Sequence, residues 1–542
     1  MKPRDPRRRI PRLTRQARRP AFVAATGLLV CWAGAGVAQA EVDGGTAPAA
    51  PVGNAAPPTT TTSAGSAAPA DARSADGGVD AAPAVAPADT GGGLFEQSLA
   101  AAPTAAESAP PLFTLSGYVR GDMFAGKVSG ADTAELKSGY GELDLALRTA
   151  KSPYGDGFAE ARVRYGLQGD QTQGTVVELR EAYVNVYLGP IDLRLGQQII
   201  VWGRADALNP TNNLTPVDFR IRSPIEDDIR LGNAGARAFL RFAPFRLEGV
   251  WMPIYLPTEL PAVALPQYVS YGAPVFASMD LKNATEAARL HLELPAVEMS
   301  ISYVHGSAPL PGLTLTGLTL TADPNGNPGT APPSVLVSRT AYQQQVLGFD
   351  FSTALGDLAT LRGEAAYRRP YDYAGPADHH VAYPDLQYVV GADHNFGSLS
   401  VILQYMGRYV FDWQKQSGPA MQLDPSVLPI EPMTNSVFVT DIVNATLAKT
   451  NQILFSQTAQ VQHLGTLRFE WLTAHDTLSF SSLCLFNFTT HEWLVTPRIG
   501  YHLSDAMVVY VGAQVFHGPT DTLFGLIDAE LSSGYAELRV TF

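Results

Sequence analysis

From Leu112 onward, apolar and polar side chains alternate with a period of two. Phe113, Leu115, Val119 and Met123 alternate with Thr114, Ser116, Arg120 and Asp122, and Leu143, Leu145 and Leu147 with Glu142, Asp144 and Arg148. Successive side chains of a strand point to opposite faces, so each such segment predicts a strand with one greasy and one charged face. In Ala159 to Leu167, Glu160, Arg162 and Arg164 share the face opposite Ala161, Val163, Tyr165 and Leu167. Short turn signals join the strands in pairs: Ser152 to Gly157, Gly189-Pro190, Ala243 to Phe245, Pro295-Ala296, Leu355-Gly356, His394 to Gly397, Ala474 to Thr477, and Leu503 to Asp505. Longer, irregular stretches separate the pairs. The count is about 18 strands, or about 16 if the segments around Tyr255 and Thr489 are not strands.

Alternation fits two architectures. A soluble sandwich buries its greasy faces, whereas a membrane barrel turns them outward. The two ends of the chain favour the barrel. Lys2, Arg4, Arg7, Arg8, Arg9, Arg12, Arg15, Arg18 and Arg19 precede an apolar run from Ala21 to Val37, and Ala38-Gln39-Ala40 has the small-x-small pattern of a signal-peptide cleavage site. Residues 1–40 are therefore expected to be a signal peptide. At the other end, Ala536, Leu538, Val540 and Phe542 share one face of a strand, and Tyr535, Glu537, Arg539 and Thr541 the other. This segment resembles the closing strand of bacterial outer-membrane barrels, which commonly end on a Phe. The resemblance implies an outer-membrane location and makes Phe542 the signal read by the barrel assembly machinery. Placing an Arg at mid-membrane in lipid costs on the order of 2–4 kcal/mol, so the charged faces belong inside.

Residues 41–110 are mostly Ala, Pro, Gly, Thr and Ser. They hold too few large apolar residues to offset ordering entropy, which predicts a disordered periplasmic linker. The expected organisation is thus a signal peptide (1–40), a linker (41–110) and an all-β, transmembrane antiparallel barrel (111–542), with both mature termini periplasmic.

Composition narrows the function. Residues 1–40 carry nine of the 38 basic residues and one of the 51 acidic ones, leaving 29 against 50, a balance that repels nucleic acid. Cys484 is the one cysteine after residue 40, which excludes an internal disulfide and a CxxC site. No Gly-x-Ser-x-Gly elbow, phosphate-binding Gly-rich loop or His-Glu-x-x-His site occurs, and the reading is not an enzyme. His379-His380 and the run Glu226-Asp227-Asp228 contain metal-binding residue types. Adjacent His residues usually point apart and acidic runs are usually solvated, so neither a metal nor a cofactor is expected. Tyr140, Tyr165, Trp251, Tyr303, Tyr405, Trp471, Trp493 and Tyr501 fall at or near strand ends and read as interfacial girdle residues on the lipid face.

The inward positions are rich in charge. Arg120, Asp122, Arg148, Glu160, Arg162, Arg164, Arg194, Arg237 and Arg241 are expected to line the lumen, joined by Arg246, Glu248, Arg289, Glu293, Arg362 and Glu364. Such residues either tune solute passage or pair across strands to hold the wall. The segment Leu195 to Pro216 contains Gly196, Gln197, Trp202-Gly203, Asp206, Asn209-Pro210 and Pro216. It resembles the strand-to-loop motif GxQxxxWGxxDxxNPxxxxxP of porin-like outer-membrane proteins of Gram-negative bacteria. Its turn formers suit a loop bent back into the pore, with Trp202, Arg204, Asp206, Arg220 and Arg222 at a constriction; the alternative is a loop packed against the barrel mouth with Trp202 as its anchor. Two other loops, Pro253 to Ala277 and Leu310 to Thr321, are apolar enough to receive substrate, join barrels or cover the lumen. Met433 to Gln460 contains a candidate amphipathic helix.

These features favour a porin-like channel for passive diffusion of small solutes through a charged lumen narrowed by an inward loop. The alternatives are a barrel for uptake or export of hydrophobic compounds and a structural or adhesive barrel. The implied partners are outer-membrane lipid, the assembly machinery and a small-molecule solute, but not nucleic acid. Assembly into a homo-oligomer is left open.

Overall fold

The computed structural model describes residues 111–542 except 128–132, 168–172, 261–268, 281, 321–333, 372, 374, 376–378 and 418–435. The expected signal peptide and linker lie outside the described residues. The chain runs β1 (Phe113–Lys127), β2 (Ala134–Thr149), β3 (Gly155–Leu167), β4 (Gly174–Leu188), β5 (Ile191–Gln198), β6 (Asn233–Phe242), β7 (Phe245–Met252) and β8 (Val269–Tyr271). It continues through β9 (Thr285–Glu293), β10 (Val297–Ser307), β11 (Gly312–Thr319), β12 (Ser334–Thr340), β13 (Gln343–Ala354), β14 (Thr360–Pro370), β15 (Asp385–Phe396) and β16 (Leu399–Val410). The last part comprises helix α1 (Ser436–Leu454), β17 (Val461–Thr473), β18 (Leu478–Asn487), β19 (Trp493–Val495), β20 (Arg498–Ser504), β21 (Met507–His517), helix α2 (Leu523–Leu531) and β22 (Ser533–Thr541).

Nineteen of these segments form one antiparallel sheet, in which β22 pairs back onto β1 from Tyr118↔Thr541 to Ala125↔Gly534. β19 and β20 share one position between β18 and β21, so the closed transmembrane barrel has eighteen strand positions. Pro497 interrupts that position because it has no N–H to donate, and Thr496 fills the gap by donating its own N–H to Leu483 O at 2.9 Å. All eight predicted turns lie where two barrel strands meet. Closure leaves no sheet edge, as a bilayer requires.

The two faces sort as the period of two dictates. In β10, Ile301 points outward and is 58% exposed, while Ser300 points inward and is 2% exposed. Val119, Val184, Leu195, Leu347, Val390, Leu403, Val511 and Leu538 continue an exposed apolar belt around the outside. A belt of this kind is stable only against lipid. Tyr165, Trp251, Tyr303, Tyr405, Trp471 and Tyr501 are exposed on the outside. Two of the expected girdle residues are not. Tyr140 shares the parity of Glu142 and Asp144, so it points inward, is buried and donates its hydroxyl to Arg222 O at 2.8 Å. Trp493 is half-buried, with its ring 5.2 Å from that of His517.

Long connections cover one end of the bore. β11 pairs antiparallel with β12, and β12 pairs parallel with β8, making a small separate sheet. The apolar repeat at Leu310 to Thr321 is therefore not an exposed contact surface in its described part. Leu310 and Leu313 are buried in a cluster with Leu208, Leu447, Ile453, Leu454, Phe455 and the apolar side of α2. Helix α1 is amphipathic only in its first half, because every residue from Thr446 to Leu454 is buried. Asn451 fastens it to the small sheet, accepting from Leu313 N and donating to Leu313 O, both at 2.8 Å.

A helix leaves its last carbonyls without partners, and here the barrel wall supplies cations to both helix ends. Arg408 of β16 donates to Phe455 O at 3.0 Å and Ser456 O at 2.5 Å, just beyond α1. Lys137 of β2 donates to Ala529 O, Glu530 O and Ser532 O at 2.6, 3.0 and 2.9 Å, at the end of α2. Lys137→Met is expected to cost about 1–3 kcal/mol by stranding these carbonyls. Hydrogen exchange should accelerate across α2 and not across α1; equal protection of α2 in the variant would refute the clamp.

Candidate functional site

The connection between β5 and β6, residues 199–232, lies inside the barrel. Gly203 adopts φ +108°, and a Cβ there would strike the Asn209 side chain, so the turn after Trp202 needs glycine. Asn209 Oδ1 accepts from Asn212 N at 3.1 Å and from the Thr211 hydroxyl at 3.2 Å, closing the next turn.

The first half of the loop steps along one wall. Trp202 Nε1 donates to Glu248 Oε1 of β7 at 2.9 Å. The Arg204 guanidinium donates to Asp350 of β13 at 2.7 Å and to Glu298 of β10 at 2.5 Å. Glu364 of β14 accepts from the backbone N–H groups of Arg204 and Ala205, and from the Thr211 hydroxyl at 2.9 Å. Ala207 N donates to Gln404 of β16 at 3.2 Å, and Asp206 pairs with Arg468 of β17 at 2.8 Å. Consecutive loop residues thus bind consecutive parts of the wall.

The second half binds the opposite wall chiefly through one 3₁₀ turn, Glu226–Ile229. Asp228 accepts from Arg120 of β1 at 2.6 Å, Arg162 of β3 at 2.8 Å and the Ser223 hydroxyl at 2.5 Å. Asp227 pairs with Arg180 of β4. The acidic run predicted to be solvated is therefore ion-paired, and its Asp228 side chain is only 3% exposed. Burial by itself would raise the Asp228 pKa, but Arg120 and Arg162 hold it well below the usual carboxylate range. Burial pushes Glu226 up to about 7 against the pull of Arg230, and raises Asp206 despite Arg468.

The five residues assigned to a constriction do not form one ring. Trp202 is 0% exposed, packed among Ile200, Leu214, Met252, Val304 and Val346, so it anchors the loop and lines no aqueous passage. Arg204 is partly open and Asp206 is buried, both on the first wall. Arg220 pairs with Asp218 at 2.6 Å and faces Glu259 at 3.7 Å, toward the small sheet. Arg222 is buried and donates to Glu530 of α2 at 2.7 Å. Because the loop spans the bore, positions 204 and 222 end at opposite walls.

The inward charges of the strands are likewise mostly paired. Arg120, Asp122, Arg162, Arg164 and Arg237 are on the inner face but buried. Arg120 lies 2.8 Å from Glu142 and 3.2 Å from Asp122, and Arg237 lies 2.7 Å from Glu248. Arg164 bonds Glu142, and Glu160 lies 2.9 Å from Arg180. Arg194 donates to Asn185 at 2.9 Å, Arg241 bonds Asp192, and Arg148 is exposed with its guanidinium 5.3 Å from the Phe158 ring. Sequence reading missed Arg180, Asp350 and Arg468 as loop partners. Each occupies an inward position of its strand, which is the signal that marks it. Among the described residues no group of three His, Cys, Asp or Glu side chains is placed to hold a metal.

A family model described as "Protein of unknown function (DUF1302)" matches residues 148–262, the stretch that contains β3 to β7 and the whole inward loop. No curated protein matches the chain. Among solved structures, OccAB3 of Acinetobacter baumannii overlaps with a TM-score of 0.46 at 10% identity, covering 79% of this chain and 99% of that one. OccK2 (OpdF) of Pseudomonas aeruginosa gives 0.44 at 12% identity, with 79% and 97% covered. A triple mutant of the Rhodopseudomonas blastica porin gives 0.34 at 12%, with 79% and 100% covered. The barrel assignment rests on the strand pairing itself.

Asp228→Asn would leave Arg120 and Arg162 buried without their shared counter-charge, and is expected to destabilise the barrel by about 3–5 kcal/mol. Asp227→Asn, at a side chain 59% exposed, should cost under about 1 kcal/mol. Urea unfolding of the refolded barrel measures both, and equal effects would refute the assignment of Asp228 as the anchor. Because the folded pKa of Asp228 is depressed, its stabilisation is present above the ordinary carboxylate value and is lost as pH falls through the lower folded value. The difference between wild type and Asp228→Asn should therefore be constant near neutrality and shrink only in strong acid.

Proposed function

We propose that this chain is an outer-membrane channel of porin type, through which small solutes diffuse passively past a fixed inward loop. One observation carries the reading: residues 199–232 cross inside a closed barrel and are bonded to both of its walls. A purely structural barrel has no need of a charged crossbar. In a channel the crossbar sets the cut-off size and the local field.

The apolar belt supports placement in a bilayer, and a spanning barrel with short turns at one end and long connections at the other has the form of outer-membrane proteins. In this reading residues 1–40 direct export, residues 41–110 form the periplasmic linker, and both mature termini lie at the short-turn end. Phe542 lies on the outer face and exchanges backbone hydrogen bonds with Gly117 at 2.9 and 3.0 Å, consistent with a role as the last residue zipped during assembly.

The field belongs to the first wall. Arg204, with 21% of its side chain exposed, faces Glu298, 54% exposed, and Arg362 and Asp393 pair at 2.9 Å on adjacent strands, both partly open. Positive and negative groups side by side give a transverse field that orients dipolar solutes instead of simply excluding one sign of ion. The apolar cluster at the covered end favours a second reading, passage of molecules with an apolar body.

Planar-bilayer recording of the refolded protein tests the proposal. The wild type is expected to show steady open conductance. Arg204→Ala leaves Glu298 without its cation and Asp350 with Arg289 alone, and should shift selectivity toward cations; Asp206→Ala frees Arg468 and should shift it toward anions. A barrel that stays silent in all three forms would end the channel reading.

A further inference from the structure

At the short-turn end the inner wall carries a band of side chains across four neighbouring strands, β2 to β5. Arg148 of β2 stands opposite Phe158 of β3, and Phe158 opposite Tyr183 of β4. The Arg148 guanidinium lies 5.3 Å from the Phe158 ring, the two rings are 5.4 Å apart, and the guanidinium of Arg194 on β5 lies 3.9 Å from the Tyr183 ring. Arg148 is exposed and the other three are half-buried. A guanidinium lying on a ring keeps an N–H edge free for a carboxylate.

Most inward arginines have an acid, but among the described residues these two have none. Arg148 has its ring contact alone, and Arg194 adds one donated bond, to Asn185 Oδ1 at 2.9 Å. The acids nearby already have donors. Asp156 accepts from Asn185 at 2.5 Å and from the Tyr187 hydroxyl at 2.8 Å, Glu181 accepts from Ile199 N at 2.7 Å, and Asp192 bonds Arg241. Two open guanidinium groups with two rings between them fit a chain that is both acidic and partly apolar.

The sequence supplies such a chain beside the band. Leu112 O accepts from Ala150 N at 2.8 Å, and Thr114 is the register partner of Arg148, so the N-terminal segment enters the barrel next to Arg148. Residues 41–110 hold eight acidic residues and one basic residue, Arg73, and between Leu94 and Leu112 the only charges are Glu96 and Glu107. We propose that residues 94–110 dock on this band, Glu107 on Arg148 and Glu96 on Arg194, with Phe95 and Leu99 against the two rings. The lengths agree. Glu107 is five residues from Leu112, a reach of at most about 17 Å. The two glutamates are eleven residues apart, and a free chain of that length spans about 18 Å, against about 14 Å for the three strand spacings from Arg148 to Arg194. Tethering holds the local concentration in the millimolar range, so ion pairs that are weak one by one suffice. Docking does not require the channel reading; in a channel it lays an anionic chain across the short-turn mouth.

The test uses the mature chain, residues 41–542, refolded into lipid nanodiscs at one barrel per disc, with a photoreactive benzophenone side chain in place of that of Phe95. Illumination is expected to attach it to peptides from the short-turn ends of β2 to β5, identified by mass spectrometry. Arg148→Glu with Arg194→Glu should lower that yield about tenfold, about threefold for each ion pair lost, and adding Glu96→Arg with Glu107→Arg should restore it. Salt at about 1 M should lower the yield of the unaltered pairs in the same way. If the arginine variant fails to fold, Glu96→Arg with Glu107→Arg in the intact barrel decides, since both positions lie outside the strands, and it should lower the yield equally. Attachment scattered over the outer surface, or a yield indifferent to these charge reversals, would overturn the proposal. Conductance is recorded separately on the same preparations. Open channels with scattered attachment would sink the docking and leave the channel; docking on a silent barrel would do the reverse.

Discussion

Four arginines, Arg120, Arg162, Arg164 and Arg180, stand on one stretch of inner wall, all buried. In a water-poor interior they can coexist only if acids lie among them. The strands supply Asp122, Glu142, Asp144 and Glu160, and the inward loop supplies Asp227 and Asp228. The loop is thus part of the wall's own charge balance. Pull it out, and Arg120 and Arg162 lose the carboxylate they share; keep it in, and the bore is crossed. The outward-facing belt forces the charges inward, the inward charges require the acids, and the acids bring the loop.

The opposite wall meets the loop by reversing the roles. There the strands carry the acids, Glu248, Glu298, Asp350 and Glu364, and the loop offers donors: the Trp202 indole, the Arg204 guanidinium, two backbone N–H groups and the Thr211 hydroxyl. A carboxylate gathering backbone N–H groups fixes a turn as firmly as a helix cap does. The loop is therefore anionic toward β1, β3 and β4 and mainly a donor toward β7 to β14. This asymmetry sets its direction across the bore.

Much of this was legible in the sequence, and the limits are physical. The period of two placed the strands and their faces, and Gly, Pro, Asn, Asp and Ser placed the eight turns, because both signals are local. The Trp202-Gly203 and Asn209-Pro210 pairs marked an inward bend for the same reason. Partners were not legible, since Asp350 and Arg468 lie far along the chain from the loop they bind, and only closure brings them near. The pocket that holds Trp202 was not legible for the same reason: it is built by inward Val and Met residues of three strands, β7, β10 and β13. Tyr140 is a different case. Its parity with Glu142 already pointed inward, and its aromatic character gave the wrong answer. For the apolar loop at Leu310, which could receive substrate, join barrels or cover the lumen, the helix expected within Met433 to Gln460 was legible but its packing on the loop was not, since over a hundred residues separate them.

The inward loop and the cover of the bore are held by different kinds of contact. Residues 199–232 are held by charge-assisted bonds to strands on both sides, so their displacement would strand several buried charges at once, each at a cost of several kcal/mol. On the covered side, α1 and α2 are held by apolar packing, by Asn451 and by one wall cation apiece. Apolar contacts are non-directional and can be exchanged for contacts with an entering molecule at little net cost. In the proposed channel any yielding on entry therefore belongs to the helices and the small sheet, while the loop keeps its shape beneath them.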